Sequence, residues 1–263
     1  MNHFSVIRLR TKRYLVNAKK LIKTEKMRAF CLIALWLGLT LPALAQDTLT
    51  QDWNKPYEFP VRPGMEAWKA LSSGQEMAEA TVIPKEYIDS LTTTALVETI
   101  LSYPLFIDVL LHDNLQVGFE RLLPFANGLA ALLTRKDAGE SVLSKYEALQ
   151  IPRVAARGVR SFEDLYLELL LSREEVLNTL DEEKRKKLQS VVYEKTASKL
   201  ENEDYGKISI ESAVLILAKI LVRSGEQDTL LTSASEQELA SFLQSGRDCS
   251  DALLSKILTL SKP

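Results

Sequence analysis

The chain has 263 residues, 46% of them apolar, with 10 glycines and 9 prolines, an ordinary globular composition that excludes disordered and fibrous classes. Its formal net charge of −2 hides a split. Residues 1–45 hold nine of the 33 basic side chains and one of the 35 acidic ones, so residues 46–263 carry 24 basic and 34 acidic groups, a net −10. An acidic body repels phosphate backbones, which argues against a nucleic-acid partner.

The basic front end reads as a targeting segment. In "MRAFCLIALWLGLTLPALAQ" (27–46) a basic residue precedes a continuous apolar run, which ends in Pro42 and the small-x-small site Ala43-Leu44-Ala45. That layout predicts a secretory signal peptide cleaved after Ala45. The apolar run is short for a spanning helix, which needs roughly 20 residues, and no lipobox precedes Cys31. Residues 1–26 form an atypically long basic leader, and Met27 reads as the natural start. Cleavage leaves residues 46–263 with one cysteine, Cys249, so packing alone must stabilise the exported fold without an intramolecular disulfide.

Residues 46–63, "QDTLTQDWNKPYEFPVRP", predict an extended arm, because Pro56, Pro60 and Pro63 exclude regular structure. Trp53, Tyr57 and Phe59 are expected to pin the arm to the body, the alternative being stacking on sugar rings. From residue 64 to 150 the chain reads as short helices joined by caps. "PGMEAWKAL" opens the series, and Pro84 starts "IPKEYIDSL" at a position proline tolerates. A threonine caps "TTTALVETILSY", which stops before Pro104. "PLFIDVLLHD" reads as a helix apolar on all sides, hence buried. Asn127 and Gly128 then introduce "LAALLTRK", and Asp137 introduces "AGESVLSKYEAL".

"QIPRVAARGVRS" (150–161) is the expected joint to a second helical half, 151–263, packed on the first. There Ser161 to Asp164 and Ser172 to Glu175 match the capping-box pattern. "LDEEKRKKLQSVVYEKTASKLENED" predicts a longer helix with an apolar stripe of Leu180, Leu188, Val191 and Val192. On it Glu182 and Glu183 stand four residues before Lys186 and Lys187. "SIESAVLILAKILVRSG" is the most hydrophobic helix of this half, ended by Gly225. "SEQELASFLQSG" and the segment around Cys249 complete the chain. Cys249 reads as a buried small apolar residue rather than a reactive thiol. Neither sustained strand alternation nor a fixed-period repeat is present. The expected fold is all-α: an array of short helices packed as an irregular bundle or superhelix, behind an extended N-terminal arm.

Chemistry-bearing constellations are sparse. His112 is the only histidine after the leader, four residues from Asp108, so His-rich zinc sites and HExxH cannot form. The two side chains would share a helix face. They read as a polar pair within a core helix or a partly exposed histidine, with a catalytic role as the alternative. No G-x-S-x-G elbow, glycine-rich phosphate loop, CxxC pair or EF-hand loop occurs. Arg153 and Arg157, with Arg160, would line one face if the joint is helical. They could clamp an anionic ligand or bridge to acidic helices. Neither a cofactor nor a metal is expected.

"PGMEAW" (63–68), "LVETILSYPLFID" (96–108), "NLQVGFERL" (114–122) and "NGLAALLTRKDAGE" (127–140) together resemble a family of uncharacterised exported bacterial helical proteins. The resemblance covers about residues 60–150. It implies export and a helical fold and carries no catalytic residues, and His112 is not among its hallmarks. The expectation is therefore a non-enzymatic cell-envelope module, periplasmic or secreted, with no membrane span after cleavage, that binds another envelope protein or peptide. The alternative is a carboxylate-dependent hydrolase of envelope or dietary polymers.

Overall fold

The computed structural model describes residues 52–151 and 162–263. The expected cleavage site at Ala43 and Ala45, and the joint residues Arg153, Arg157 and Arg160, lie outside the described residues. Among the described residues there are fourteen α-helices, one 3-10 helix and no strand, so the all-α expectation holds.

Residues 52–63 form no helix, and their aromatic rings lie against the helices that follow. Trp53 meets Tyr87 edge-on at 5.5 Å between centroids, and Tyr57 meets the same ring at 4.9 Å. The Tyr57 N–H donates to Thr99 Oγ1 at 2.9 Å, and Phe59 is buried against Tyr103. Four short helices follow: α1 (Glu66–Lys69), α2 (Gly74–Ala80), α3 (Lys85–Ser90) and α4 (Thr93–Leu101). Thr92 caps α4 by accepting from the Ala95 N–H, as the sequence predicts. Pro84 sits one position outside α3, as its N-cap.

The next segment departs from expectation. Phe106–Leu111 is a 3-10 helix rather than an α-helix. Only Phe106 and Val109 on it are buried, while Ile107 and Leu111 are 43% and 78% exposed. A 3-10 helix repeats every three residues, so residues 106 and 109 point inward together. Phe106 stacks on Tyr166 at 4.2 Å, which ties this turn to the second half. Helix α5 (Leu115–Leu122) then packs closely on the turn. At Gly118 a Cβ would stand 2.3 Å from the Val109 carbonyl oxygen, so only glycine allows the approach. Helices α6 (Asn127–Leu133) and α7 (Ala138–Ala148) close the first half against α4. Asn127 and Asp137 introduce these helices without capping them: Asn127 bonds both the N–H and the carbonyl of Ile83, and Asp137 accepts from the Thr93 hydroxyl.

The second half comprises α8 (Glu163–Leu171), α9 (Glu174–Leu177), α10 (Glu182–Leu200), α11 (Lys207–Arg223), α12 (Gln227–Leu230), α13 (Glu236–Ser245) and α14 (Asp251–Ser261). Helix α11 is the centre, buried along most of its length, with α8, α10, α13 and α14 packed around it. It ends as the sequence predicts. Gly225 takes φ +89°, its N–H donates to the Val222 carbonyl and that of Glu226 to Leu221, closing a Schellman motif. The hydrophobic core runs without a break from Phe59 through Leu167 and Leu217 to Ile257.

One cap expectation fails for a physical reason, and another falls outside the described residues. Ser172 is buried and caps nothing: its hydroxyl donates to the Leu169 carbonyl and accepts from Gln116, while Arg173 stands at the N-cap of α9. Phe162 occupies the N-cap of α8 without a side-chain bond, and Ser161 lies outside the described residues. On α10, Lys186 pairs with Glu182 at 2.7 Å, but Lys187 reaches across to Glu147 instead of back to Glu183.

Candidate functional site

The 3-10 geometry decides the fate of Asp108 and His112. Four residues apart on an α-helix they would share a face; with three residues per turn they diverge. No hydrogen bond joins them: Asp108 is partly buried, and His112 is exposed in extended backbone just past the turn. Burial pushes the Asp108 carboxyl above its ordinary value, and the nearby His112 draws it partly back. Burial likewise raises the Tyr166 phenol to about 12, with the Asp108 charge adding to it.

Both residues line a groove of about 790 Å³. One wall is α2, with Ala78 and Glu79; the other is α5, with Arg121 and Leu122; Val82 and Phe125 stand at its edges. Val82 is 50% and Phe125 56% exposed, two large apolar side chains that line the same cavity. The rim carries two carboxylates, Glu79 and Asp108, and one guanidinium, Arg121, which makes no hydrogen bond or ion pair among the described residues. The groove can accept apolar side chains and can orient them by charge. A nucleophile poised beside His112 is not among its lining residues.

A second polar constellation went unseen in the sequence. Lys199, on α10, is fully buried, and its Nζ donates to both Glu168 oxygens at 2.6 and 2.8 Å and lies 2.9 Å from Asp164 Oδ2. It also donates to the Ser209 hydroxyl at 3.0 Å. Tyr146 donates to Glu168 Oε1 at 2.6 Å and Ser212 to Glu168 Oε2 at 2.5 Å. Burial pushes the Glu168 carboxyl up, the Lys199 ammonium pulls against it, and Asp164 adds to the rise. Burial also raises the Tyr146 phenol well above its ordinary value. Asp164 and Glu168 are carboxylates four apart on one helix, and both are shut away from solvent. Their geometry ties α7, α8, α10 and α11 together and offers no place for a substrate. The signal in the sequence was one lysine on the stripe that Leu188, Val192 and Thr196 define.

Among the described residues no cluster of histidine, cysteine and acidic side chains is placed to hold a metal ion. No helix there is long and apolar enough to cross a membrane. No protein-family model matches the chain, and no curated protein or solved structure is significantly similar to it.

Proposed function

We propose that the chain is an exported cell-envelope module that binds a segment of another polypeptide in the groove between α2 and α5. The observation that carries this reading is the open apolar groove beside His112, edged by exposed Val82 and Phe125. Its occupant is a segment with apolar anchors flanked by a basic residue. Two rim carboxylates outnumber the one guanidinium, and residues 46–263 carry a net −10 that attracts cationic partners. Burial of Asp108 adds to the argument, because a carboxylate held above its ordinary value gains from a cation placed beside it. Export rests on the leader and cleavage pattern at Ala43 and Ala45 and on the resemblance described above.

The test is fluorescence anisotropy with a labelled peptide carrying two leucines and flanking lysines, set against a twin with aspartates for the lysines. The reading expects saturable binding of the basic peptide, about tenfold tighter than its twin, and loss of that binding in Phe125→Asp. Equal binding of the twins, or binding indifferent to Phe125→Asp, would refute it. The hydrolase alternative is separated by turnover: it requires Asp108→Asn and His112→Ala to abolish an activity while the fold persists.

A further inference from the structure

Along another face of α5 lies a second groove, of about 630 Å³, with the start of α9, α11 and α13 as its other walls. Its charge runs against that of the molecule. Four cations line it, Arg121, Arg173, Lys219 and Arg223, against two carboxylates, Glu120 and Glu174.

The ion pairs inside it do not balance. Arg173 lies over the Phe119 ring at 4.7 Å and donates to Gln116 Oε1 at 3.1 Å and to Glu120 at 2.5 Å. Its Nε has no hydrogen-bond acceptor, since Glu175 at 3.5 Å is at ion-pair distance but outside hydrogen-bond geometry. Glu174 is taken by a short contact with Arg223. Lys219 is left with a 3.6 Å approach to Glu174 and one bond to the Ser172 carbonyl at 2.7 Å, although only 13% of its side chain is exposed. Burial lowers the affinity of this amine for its proton, and Glu174 only partly restores it. Arg121 has no partner among the described residues, and the Gln244 carboxamide, also lining the groove, makes no hydrogen bond there. The remaining wall is apolar, from Val117, Val222 and Leu243. An undercompensated cation, a free guanidinium, a free amide and an apolar wall share one cavity of ligand size.

We propose that this groove binds an organic carboxylate with an apolar body, its anion between Lys219 and Arg121 and its apolar part against Val222 and Leu243. Two sources supply that chemistry: the carboxy-terminal residue of a peptide and a free medium-chain carboxylic acid. A carboxylate fits better than a bare inorganic anion, because an inorganic anion would leave the apolar wall uncovered. The site is distinct from the groove beside His112, with which it shares Arg121 alone.

Isothermal titration of the purified protein tests it with four probes: N-acetyl-leucine, octanoate, and the primary amide of each. Saturable binding of one or both carboxylates is expected, at least about tenfold stronger than their amides, since hydrogen bonds to an ionised group are the stronger kind. Which carboxylate saturates identifies the source. Arg121→Gln and Gln244→Glu alter exposed side chains, so the fold persists, and each should weaken binding about tenfold by removing a cation or adding a repelling charge. Val82→Ser, which alters an exposed residue of the other groove and adds no charge near Arg121, should leave it unchanged. Absence of binding by both carboxylates, amides that bind as well, binding that survives both Arg121→Gln and Gln244→Glu, or loss with Val82→Ser would each overturn the proposal.

Discussion

Replacing Lys199 with methionine removes the cation at the centre of the buried network while keeping the volume of its aliphatic stem. In the intact protein Lys199 touches both Glu168 oxygens and Asp164, and neither Lys199 nor Glu168 has any solvent exposure. Deleting one partner of such a pair strands a buried charge, which costs about 3–5 kcal/mol. For a domain of this size each kcal/mol lowers Tm by about 2–4 °C, so Lys199→Met should melt about 6–20 °C below the parent. Adding Glu168→Gln should restore part of that loss. Glutamine removes the Glu168 charge, leaving only the Asp164 carboxylate without its cation, and keeps an acceptor for the Tyr146 hydroxyl, while Ser212 retains its bond to the Ser209 carbonyl. The pH dependence has a definite sign. A stranded Glu168 carboxyl has its folded pKa raised further by burial, so the folded state binds more protons than the unfolded one. The deficit of Lys199→Met is therefore full at neutral pH and shrinks as pH falls through the raised carboxyl value. Calorimetric melts of the parent, both single variants and the double variant across pH supply the measurement. A single-variant shift below about 2 °C, or a double variant as unstable as the summed singles, would refute the claim that the pair is coupled.

Asp108 offers a contrasting case, because burial raises its carboxyl and His112 opposes the rise only in part. Its ionised form costs stability above the raised value and nothing below the ordinary carboxylate range, so Asp108→Asn should raise Tm at neutral pH and match the parent in acid melts. Gly118→Ala would place a Cβ 2.3 Å from the Val109 carbonyl oxygen. Denaturant titration should find it about 1–3 kcal/mol less stable, as the 3-10 turn is forced away from α5. Cys249 is 6% exposed, with burial pushing its thiol up to about 12. Native protein should resist iodoacetamide at neutral pH, whereas the urea-unfolded chain should be alkylated fully.

Much of the helical order was legible because it is local. Thr92, Asp181, Ser235 and Ser250 each accept from the N–H three residues on, and Gly225 and Gly246 both take positive φ just past a helix end. Such signals depend on neighbours within one turn. The 106–111 segment departs from the sequence reading because apolar content alone does not separate a three-residue from a 3.6-residue period over six positions. Ser172 looked like a cap because its pattern with Glu175 is right, but tertiary contact with Gln116, 56 positions away, takes its hydroxyl. The Lys199 network was illegible for the same reason: its partners lie 10 and 31 positions away on other helices. Likewise the groove beside His112 joins residues from α2 and α5, which no spacing rule connects.

The most direct test of the binding account is a photo-crosslinking amino acid placed at position 125 in the protein as produced in its own cells, with position 186 on the exposed face of α10 as the comparison. The groove predicts a reproducible adduct from position 125, whose crosslinked peptide maps to an apolar segment with a neighbouring lysine or arginine, and no matching adduct from position 186. An unmodified protein at position 125, or the same adducts from both positions, would contradict it.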